Sequence, residues 1–299
     1  MLDIVDAHHH LCTLSTASYP WLEGPVVRRY HGDDRPLRRD YLVADYLRDA
    51  AELEALDARL VGSVHIENGA ADPIGESRWV DEVIAGHPVP NVQVAKVDLS
   101  APDAAEQVAA HAALPSVRGV RDILNWHPDP YYSHRERGDL MSDPSWRSGF
   151  GALAPAGLSF DLQVFPSQLD DAAALAADFG GTAIVLDHAG MPIEREGDAL
   201  DAWRRGMDRV AAEPNTMVKI SALGTNDHRW TVDSIRRIVL ETVDAFGPQR
   251  CMFGSNFPVD GLYSRYGELF AAFDAIVGGF SSDDRAALFA GTARRFYRF

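Results

Sequence analysis

The hydrophobic pattern of the chain consists of short apolar runs that alternate with longer amphipathic segments. Most of the short runs are almost continuous in apolar residues, as in "TAIVLDHA" at 182–189. Continuous apolar runs are typical of strands in a parallel sheet that is buried on both faces. The pattern predicts eight strands, at 2–8, 59–67, 92–99, 117–124, 158–165, 182–189, 216–223 and 251–257.

The segments between these runs repeat their apolar positions at helical spacing. In residues 43–58, for example, Tyr46 and Leu53 lie on one predicted apolar face. Gly247 and Pro248 are typical of the end of a helix. Helices are predicted at 43–58, 76–85, 102–113, 143–155, 167–178, 198–212 and 231–246, with a closing helix in 281–299.

Eight strands that alternate with helices predict one α/β domain, a (β/α)₈ TIM barrel over residues 1–299. An open doubly wound sheet is the alternative. Such a sheet carries a glycine-rich phosphate loop after its first strand when it binds dinucleotides, but "AHHHLC" stands at that position here. The barrel is therefore the favoured fold.

Two connections, at 12–42 and 125–142, are longer than usual, and both follow the C-terminal end of a predicted strand. Barrel active sites are built from loops at that end. We therefore predict that both connections form walls of a pocket, in which Trp21, Trp126 and Tyr131 bind the substrate. Solvated surface loops are the alternative.

Charge and composition narrow the class of partner. The chain has 28 basic and 44 acidic residues and a formal net charge of −16, which disfavours nucleic acid and anionic membranes as partners. Its two cysteines offer no disulfide framework, and no apolar stretch reaches the ~18 residues of a membrane span. We predict a cytoplasmic protein, monomeric or homo-oligomeric, whose partner is a small molecule.

Three consecutive histidines, His8, His9 and His10, follow the first apolar run. Successive side chains of a strand point to opposite faces, so His8 and His10 share a face and lie ~6.6 Å apart along the strand. If that face is the barrel interior, the two imidazoles suit a divalent ion, with zinc the first choice. A structural pair is the alternative. His188 ends the sixth predicted strand at the same mouth, which makes it a candidate ligand or acid–base group.

Three motifs together resemble a known family. "VDAHHHL" at 5–11, "LDHAG" at 186–190 and "MFGSNFPVD" at 252–260 are similar to the metal-dependent hydrolases of the amidohydrolase superfamily. Within it, the chain resembles the amidohydrolase-2 branch that includes sugar-lactone and 2-pyrone-4,6-dicarboxylate lactonases. The resemblance runs the whole length of the chain, to the closing "LFAGTARRFY".

The resemblance implies a (β/α)₈ barrel that activates water for attack on a lactone, ester or amide carbonyl. It implies that His8, His10 and His188 bind a divalent metal, zinc first, with a metal-free site as the alternative. It also implies that Arg121 binds a substrate carboxylate or polarises a carbonyl. A buried ion pair of Arg121 with Glu67 or Asp122 is an equal alternative.

The chain departs from the family at the strand-8 position, where relatives have an aspartate that takes the proton from the attacking water. Here that position is Asn256, and an amide has no basic form that could accept the proton. A metal that acidifies its own water can compensate, as can another base. His188 is our first choice as base, with Glu67 and Asp260 as alternatives, so His188, Asn256 and Glu67 are the predicted catalytic residues.

The leading hypothesis is a hydrolase that opens a small lactone or a related cyclic ester or amide, with a carboxylate on the substrate as one option. A metal-dependent non-oxidative decarboxylase is the alternative within the enzymes. From a different class, Asn256 favours a non-catalytic barrel that binds a small molecule.

Overall fold

The strands form the predicted barrel. The computed structural model describes residues 1–27 and 29–299, so Arg28, within the predicted wall 12–42, lies outside the described residues. Eight strands pair in sequence order, each parallel to the next. They are β1 (Leu2–His9), β2 (Ala58–Ile66), β3 (Val92–Lys96), β4 (Val117–Ile123), β5 (Ser159–Gln163), β6 (Ile184–Leu186), β7 (Thr216–Ile220) and β8 (Cys251–Phe253).

The last strand returns to the first. A parallel bridge joins His9 to Phe257, and the His10 N–H donates to the Phe257 carbonyl oxygen at 2.8 Å. These contacts lie just beyond the end of β8 and bring the two edges of the sheet together. The (β/α)₈ fold predicted from the sequence is confirmed.

Helices connect the strands and cover the outside of the barrel. They are α1 (Pro20–Glu23), α2 (Val43–Ala50), α3 (Pro73–Gly86), α4 (Ala104–Ala112), α5 (Pro144–Phe150), α6 (Leu169–Asp178), α7 (Gly197–Ala212), α8 (Val232–Phe246), α9 (Tyr266–Val277), α10 (Ser282–Ala286) and α11 (Thr292–Tyr297). The local sequence explains where several of these helices begin. The Asp72 carboxylate accepts from the Gly75 N–H at 3.0 Å, and Thr231 and Ser234 cap α8 reciprocally. Each such cap stabilises a helix by about 1 kcal/mol.

Two helical predictions need correction, and α9 lies where no helix was predicted. The segment 43–58 is α-helical only to Ala50 and continues as a 3₁₀-helix over Ala51–Leu56. The closing segment divides into α10 and α11, joined by a π-helical turn. Helix α9 was not predicted, because most of its residues are apolar and buried, so the segment lacks the alternation of apolar and polar faces that marks a surface helix.

The core fills the space between the strands and the helices. Trp146 and Phe150 of α5 pack on Phe160 of β5, with ring centroids 5.0 to 5.8 Å apart. Cys12 and Cys251 are both buried and free, as the absence of a disulfide framework predicts. Within the described ranges, no helix combines the length and the apolar character needed to cross a membrane.

Candidate active site

Three imidazoles meet at the C-terminal mouth of the barrel. The ring centroids of His8 and His10 are 5.1 Å apart, and those of His8 and His188 are 4.6 Å apart. His9 points to the other face of β1, where it stacks on Tyr46 at 4.0 Å. The alternation predicted for the three consecutive histidines is therefore observed, and the structure brings His188 to the same place.

Two of these rings use Nδ1 for a contact with the protein. The Nδ1–H of His10 donates to the Ile66 carbonyl oxygen at 2.8 Å, and Nδ1 of His188 lies 2.8 Å from the Ser221 hydroxyl. His8 Nε2 is buried and has no hydrogen-bond partner in the part of the chain that the structure describes. Metal-binding histidines usually hold one ring nitrogen in this way and leave the other for the metal.

Burial keeps these imidazoles neutral. Desolvation lowers the pKa of His10 and of His188 to about 4, and it lowers the pKa of His8 well below its usual value. Nearby cations, including Lys219, lower the pKa of His8 further. At neutral pH each ring therefore carries a lone pair, as a nitrogen ligand must.

A buried ion-pair cluster lies beneath His8. Lys219 of β7 pairs with Asp161 of β5 and lies 3.2 Å from Asp187, and all three side chains are fully buried. Nδ1 of His8 is 3.3 Å from the Lys219 ammonium and 3.5 Å from Asp187. One potential ligand atom each from His8, Asp187 and His188 lies within 4.8 Å of the others. Asp187 was not among the predicted site residues, although it stands directly before His188 in "LDHAG".

The backbone around the mouth is strained. His188, Ala189 and Met191 follow β6 with φ angles of 58°, 52° and 47°, Ala222 follows β7 at 53°, and Asn256 follows β8 at 57°. Residues other than glycine rarely adopt positive φ, at a cost of order 1–3 kcal/mol each. Such residues cluster at functional sites, because the surrounding packing holds them in place.

Asn256 faces this cluster from strand 8. Its N–H donates to the His8 carbonyl oxygen at 2.7 Å, and its Oδ1 lies 3.3 Å from Nε2 of His10. Because the neutral His10 ring carries its proton on Nδ1, the lone pair of Nε2 faces an amide oxygen, which also accepts. A cation between the two would satisfy both acceptors, as would an amide turned to present its NH₂ group. Together with the unpartnered His8 Nε2, this donor set fits a divalent metal.

Asp260 lies close to Asn256. Its carboxylate is buried and accepts a hydrogen bond from the Thr225 hydroxyl at 3.0 Å. Burial raises the pKa of Asp260 to about 7, despite hydrogen bonds from Thr225 and the Asn256 side chain that lower it. Thr225 and Asn256 both line the pocket above the histidines.

Glu67 and Arg121 form a buried ion pair, which was one of the two alternative roles predicted for Arg121. Nε of Arg121 donates to a Glu67 carboxylate oxygen at 2.6 Å, and Nη2 donates to the Glu67 carbonyl oxygen at 2.6 Å. Burial would raise the pKa of Glu67, but Arg121 and Lys96 hold that pKa below its usual value. Glu67 is therefore ionised and already paired, which makes it a weak proton acceptor.

A cavity of about 560 Å³ opens above the imidazoles. Its lining includes His10, His188, Glu67, Asn68, Arg121, Asn256 and residues of both long connections, among them Trp21 and Tyr131. Trp21 is held there by a hydrogen bond from Nε1 to the Asn68 carbonyl oxygen at 2.7 Å. Trp126 differs from the prediction, because it does not belong to the lining and instead packs closely against Gly138. A wall residue there was predicted only because the loop is rich in aromatic side chains.

The chain is similar to proteins of known family. The family model described as amidohydrolase matches residues 5–299. A protein of Sinorhizobium fredii called uncharacterized protein y4mH is 38% identical over 99% of this chain and 98% of its own. The L-fucono-1,5-lactonase of Burkholderia multivorans is 31% identical over 98% of this chain and 95% of its own. A crystal structure of a Burkholderia multivorans amidohydrolase with bound zinc is 30% identical, covers both chains completely and has a TM-score of 0.80.

Proposed function

Because this chain belongs to the amidohydrolase family and is a hydrolase, we propose that it opens a lactone, or a related cyclic ester or amide, by attack of water on the ring carbonyl. The observation that carries the proposal is the cluster of three neutral imidazoles, of which His10 and His188 line the pocket and His8 lies buried against them. The similarity to L-fucono-1,5-lactonases supports a lactone as the substrate class.

We assign His8, His10 and His188 to a divalent metal, with Asp187 as a further donor. Zinc is our first choice, because imidazole suits it and because a similar amidohydrolase binds it. When bound, such a metal polarises the carbonyl and lowers the pKa of water. The Ile66 carbonyl and the Ser221 hydroxyl hold the rings of His10 and His188 in orientation.

The proton of the attacking water needs an acceptor other than Asn256. Glu67 is disfavoured, because it is ionised and paired with Arg121. His188 and Asp260 remain as candidates. Asp260 has the pKa better matched to neutral pH, and the Thr225 hydroxyl connects it to the pocket.

The test combines metal analysis with a lactone assay on untagged protein. We expect about one divalent ion per chain and hydrolysis of L-fucono-1,5-lactone or another neutral sugar lactone, followed with a pH indicator. His8→Ala and His188→Ala should lose both properties. His87→Ala is the matched control, because it removes an exposed imidazole outside the pocket lining and should keep both.

Other outcomes select other functions. Undiminished hydrolysis in metal-free protein and in His8→Ala would contradict the metal assignment. Release of CO₂ from hydroxybenzoates without lactone hydrolysis would favour the decarboxylase. Lactone binding without turnover, with activity that arises only in Asn256→Asp, would favour a binding barrel.

A further inference from the structure

We propose that the pocket wall at the ends of β3 and β4 is a subsite for a substrate carboxylate and that Lys96 binds it. The inference rests on the proposed function and deepens it, because it names the substrate class. That class is a lactone with a carboxylate substituent on its ring. Lys96 is then a specificity-determining residue, separate from the groups assigned to the reacting carbonyl.

Lys96 lies beside the Arg121–Glu67 ion pair. It is the last residue of β3, it pairs in register with Arg121 of β4, and both side chains line the pocket. The Glu67 carboxylate is 2.6 Å from the Arg121 guanidinium and also interacts electrostatically with Lys96. Two cations therefore share one carboxylate, and one positive charge on this wall is not neutralised.

The other cations of the pocket have acidic partners. Arg135 is ion-paired with Asp122, and Arg29 lies 3.6 Å from the buried Asp34. Across residues 1–27 and 29–299, Lys96 has no carboxylate within ion-pair distance, and its ammonium donates no hydrogen bond. In a chain with a net charge of −16, a half-buried lysine that lines the pocket without an ion-pair partner needs an explanation.

The remaining charge and its position indicate the ligand. One uncompensated positive charge matches a monoanion such as carboxylate better than a doubly charged phosphate, which would leave a net negative charge buried. β3 is two strands away from β1, which places its backbone roughly 10 Å from that of His10. Side chains that point inwards from both strands shorten this gap to about the length of a six-membered ring with one carboxyl substituent. The ring carbonyl can therefore lie over the imidazoles while the carboxylate contacts Lys96.

The test uses two lactones that differ by one group. D-galactaro-1,5-lactone has a carboxylate on its six-membered ring where D-galactono-1,5-lactone has a CH₂OH group. Each is assayed with the native protein, Lys96→Met, Lys96→Arg and Arg209→Met. The last is the control, because it removes an exposed arginine of α7 that does not line the pocket.

We expect the native protein to prefer the carboxylate-bearing lactone in kcat/KM. Lys96→Met should lower kcat/KM for that lactone about tenfold or more, the usual effect of losing a charged hydrogen bond, and change the neutral lactone less than twofold. Lys96→Arg should keep most of the preference, and Arg209→Met should keep all of it. A native preference for the neutral lactone, or a preference that Lys96→Met does not reduce, overturns the proposal.

Binding separates this proposal from the hydrolase proposal. If neither lactone is hydrolysed, calorimetric titration of both into the native protein and Lys96→Met decides. Tighter binding of the carboxylate-bearing lactone that Lys96→Met abolishes supports the subsite, although the hydrolase proposal fails. Equal binding of the two lactones, or binding of neither, overturns the subsite.

Discussion

Removal of one charge from the Glu67–Arg121 ion pair should destabilise the fold strongly. The two side chains are 4% and 6% exposed, and the shortest contact between them is 2.6 Å. Glu67→Gln keeps the size of the side chain and an oxygen that can accept from Arg121, but it leaves the guanidinium buried without a counter-charge. Lys96 next to the pair adds repulsion once the carboxylate is gone.

The expected loss in unfolding free energy at pH 7 is about 3 kcal/mol, because breaking a buried pair by removing one partner costs about 3–5 kcal/mol and glutamine retains a hydrogen bond. For a chain of 299 residues, such a loss lowers Tm by roughly 5 °C. The pKa of Glu67 is depressed in the folded state, so the stabilisation is present above the ordinary value of 4.5 and is lost as the pH falls through the folded value.

Urea unfolding, checked for a two-state transition by two probes, measures the loss. The control is Asp170→Asn, which breaks the exposed pair with Arg209 and should cost less than about 1 kcal/mol. A double-mutant cycle of Glu67→Gln with Arg121→Met should give a coupling energy of at least about 1.5 kcal/mol, since the double variant no longer buries a lone charge. If Glu67→Gln is as stable as the native protein and the coupling energy is zero, the ion pair does not stabilise the fold. A loss of kcat without a loss of stability would instead make Glu67 a catalytic base.

Three further predictions concern other sites. Asn256→Asp should raise kcat for lactones about tenfold or more, since it adds a carboxylate base beside the imidazoles. Unchanged kinetics would contradict this and would show that removal of the proton from water does not limit kcat. Burial raises the pKa of Glu76 to about 8, so the contribution of its protonated form to stability is complete below pH 4.5 and is lost as the pH rises towards 8. In urea unfolding, the stability of Glu76→Gln relative to the native protein should therefore increase between pH 4.5 and 8. A difference in stability that does not depend on pH would contradict this prediction. Gly149→Ala should lower the free energy of unfolding by about 1–3 kcal/mol, because a Cβ there would lie 2.2 Å from the Leu99 carbonyl oxygen. Gly86→Ala should raise it by about 0.4–1 kcal/mol, because a Cβ at position 86 meets open space. Thermal melts that rank the two variants in the reverse order would refute this prediction.

The site shows how charge is arranged in an acidic protein. The formal net charge of the chain is −16, whereas the pocket wall has an excess of cations, and a fully buried Asp161–Lys219–Asp187 cluster lies beneath His8. A negative net charge therefore says nothing against an anionic substrate, because the local field of the pocket decides which ligand is attracted.

The sequence by itself determined the strands, because a buried strand leaves a recognisable run of apolar residues. Continuous apolar runs predicted all eight strands, and the alternation of side chains along a strand placed His8 and His10 on one face and His9 on the other. It did not predict α9, because a helix that is buried on most sides has no polar face to mark its period. The metal and catalytic roles of the singled-out residues stay predictions, which the experiments above test.

Only the tertiary structure decided which groups meet around the histidines. The Ile66 carbonyl reaches His10 across 56 positions of the chain, and Lys219 reaches His8 across 211. It also decided that Glu67 pairs with Arg121 and that Trp126 packs away from the pocket while Trp21 lines it. The periodicity of a segment records which of its faces is buried. The partners on that face depend on the closure of the barrel, which brings distant strand ends together and which no local pattern encodes.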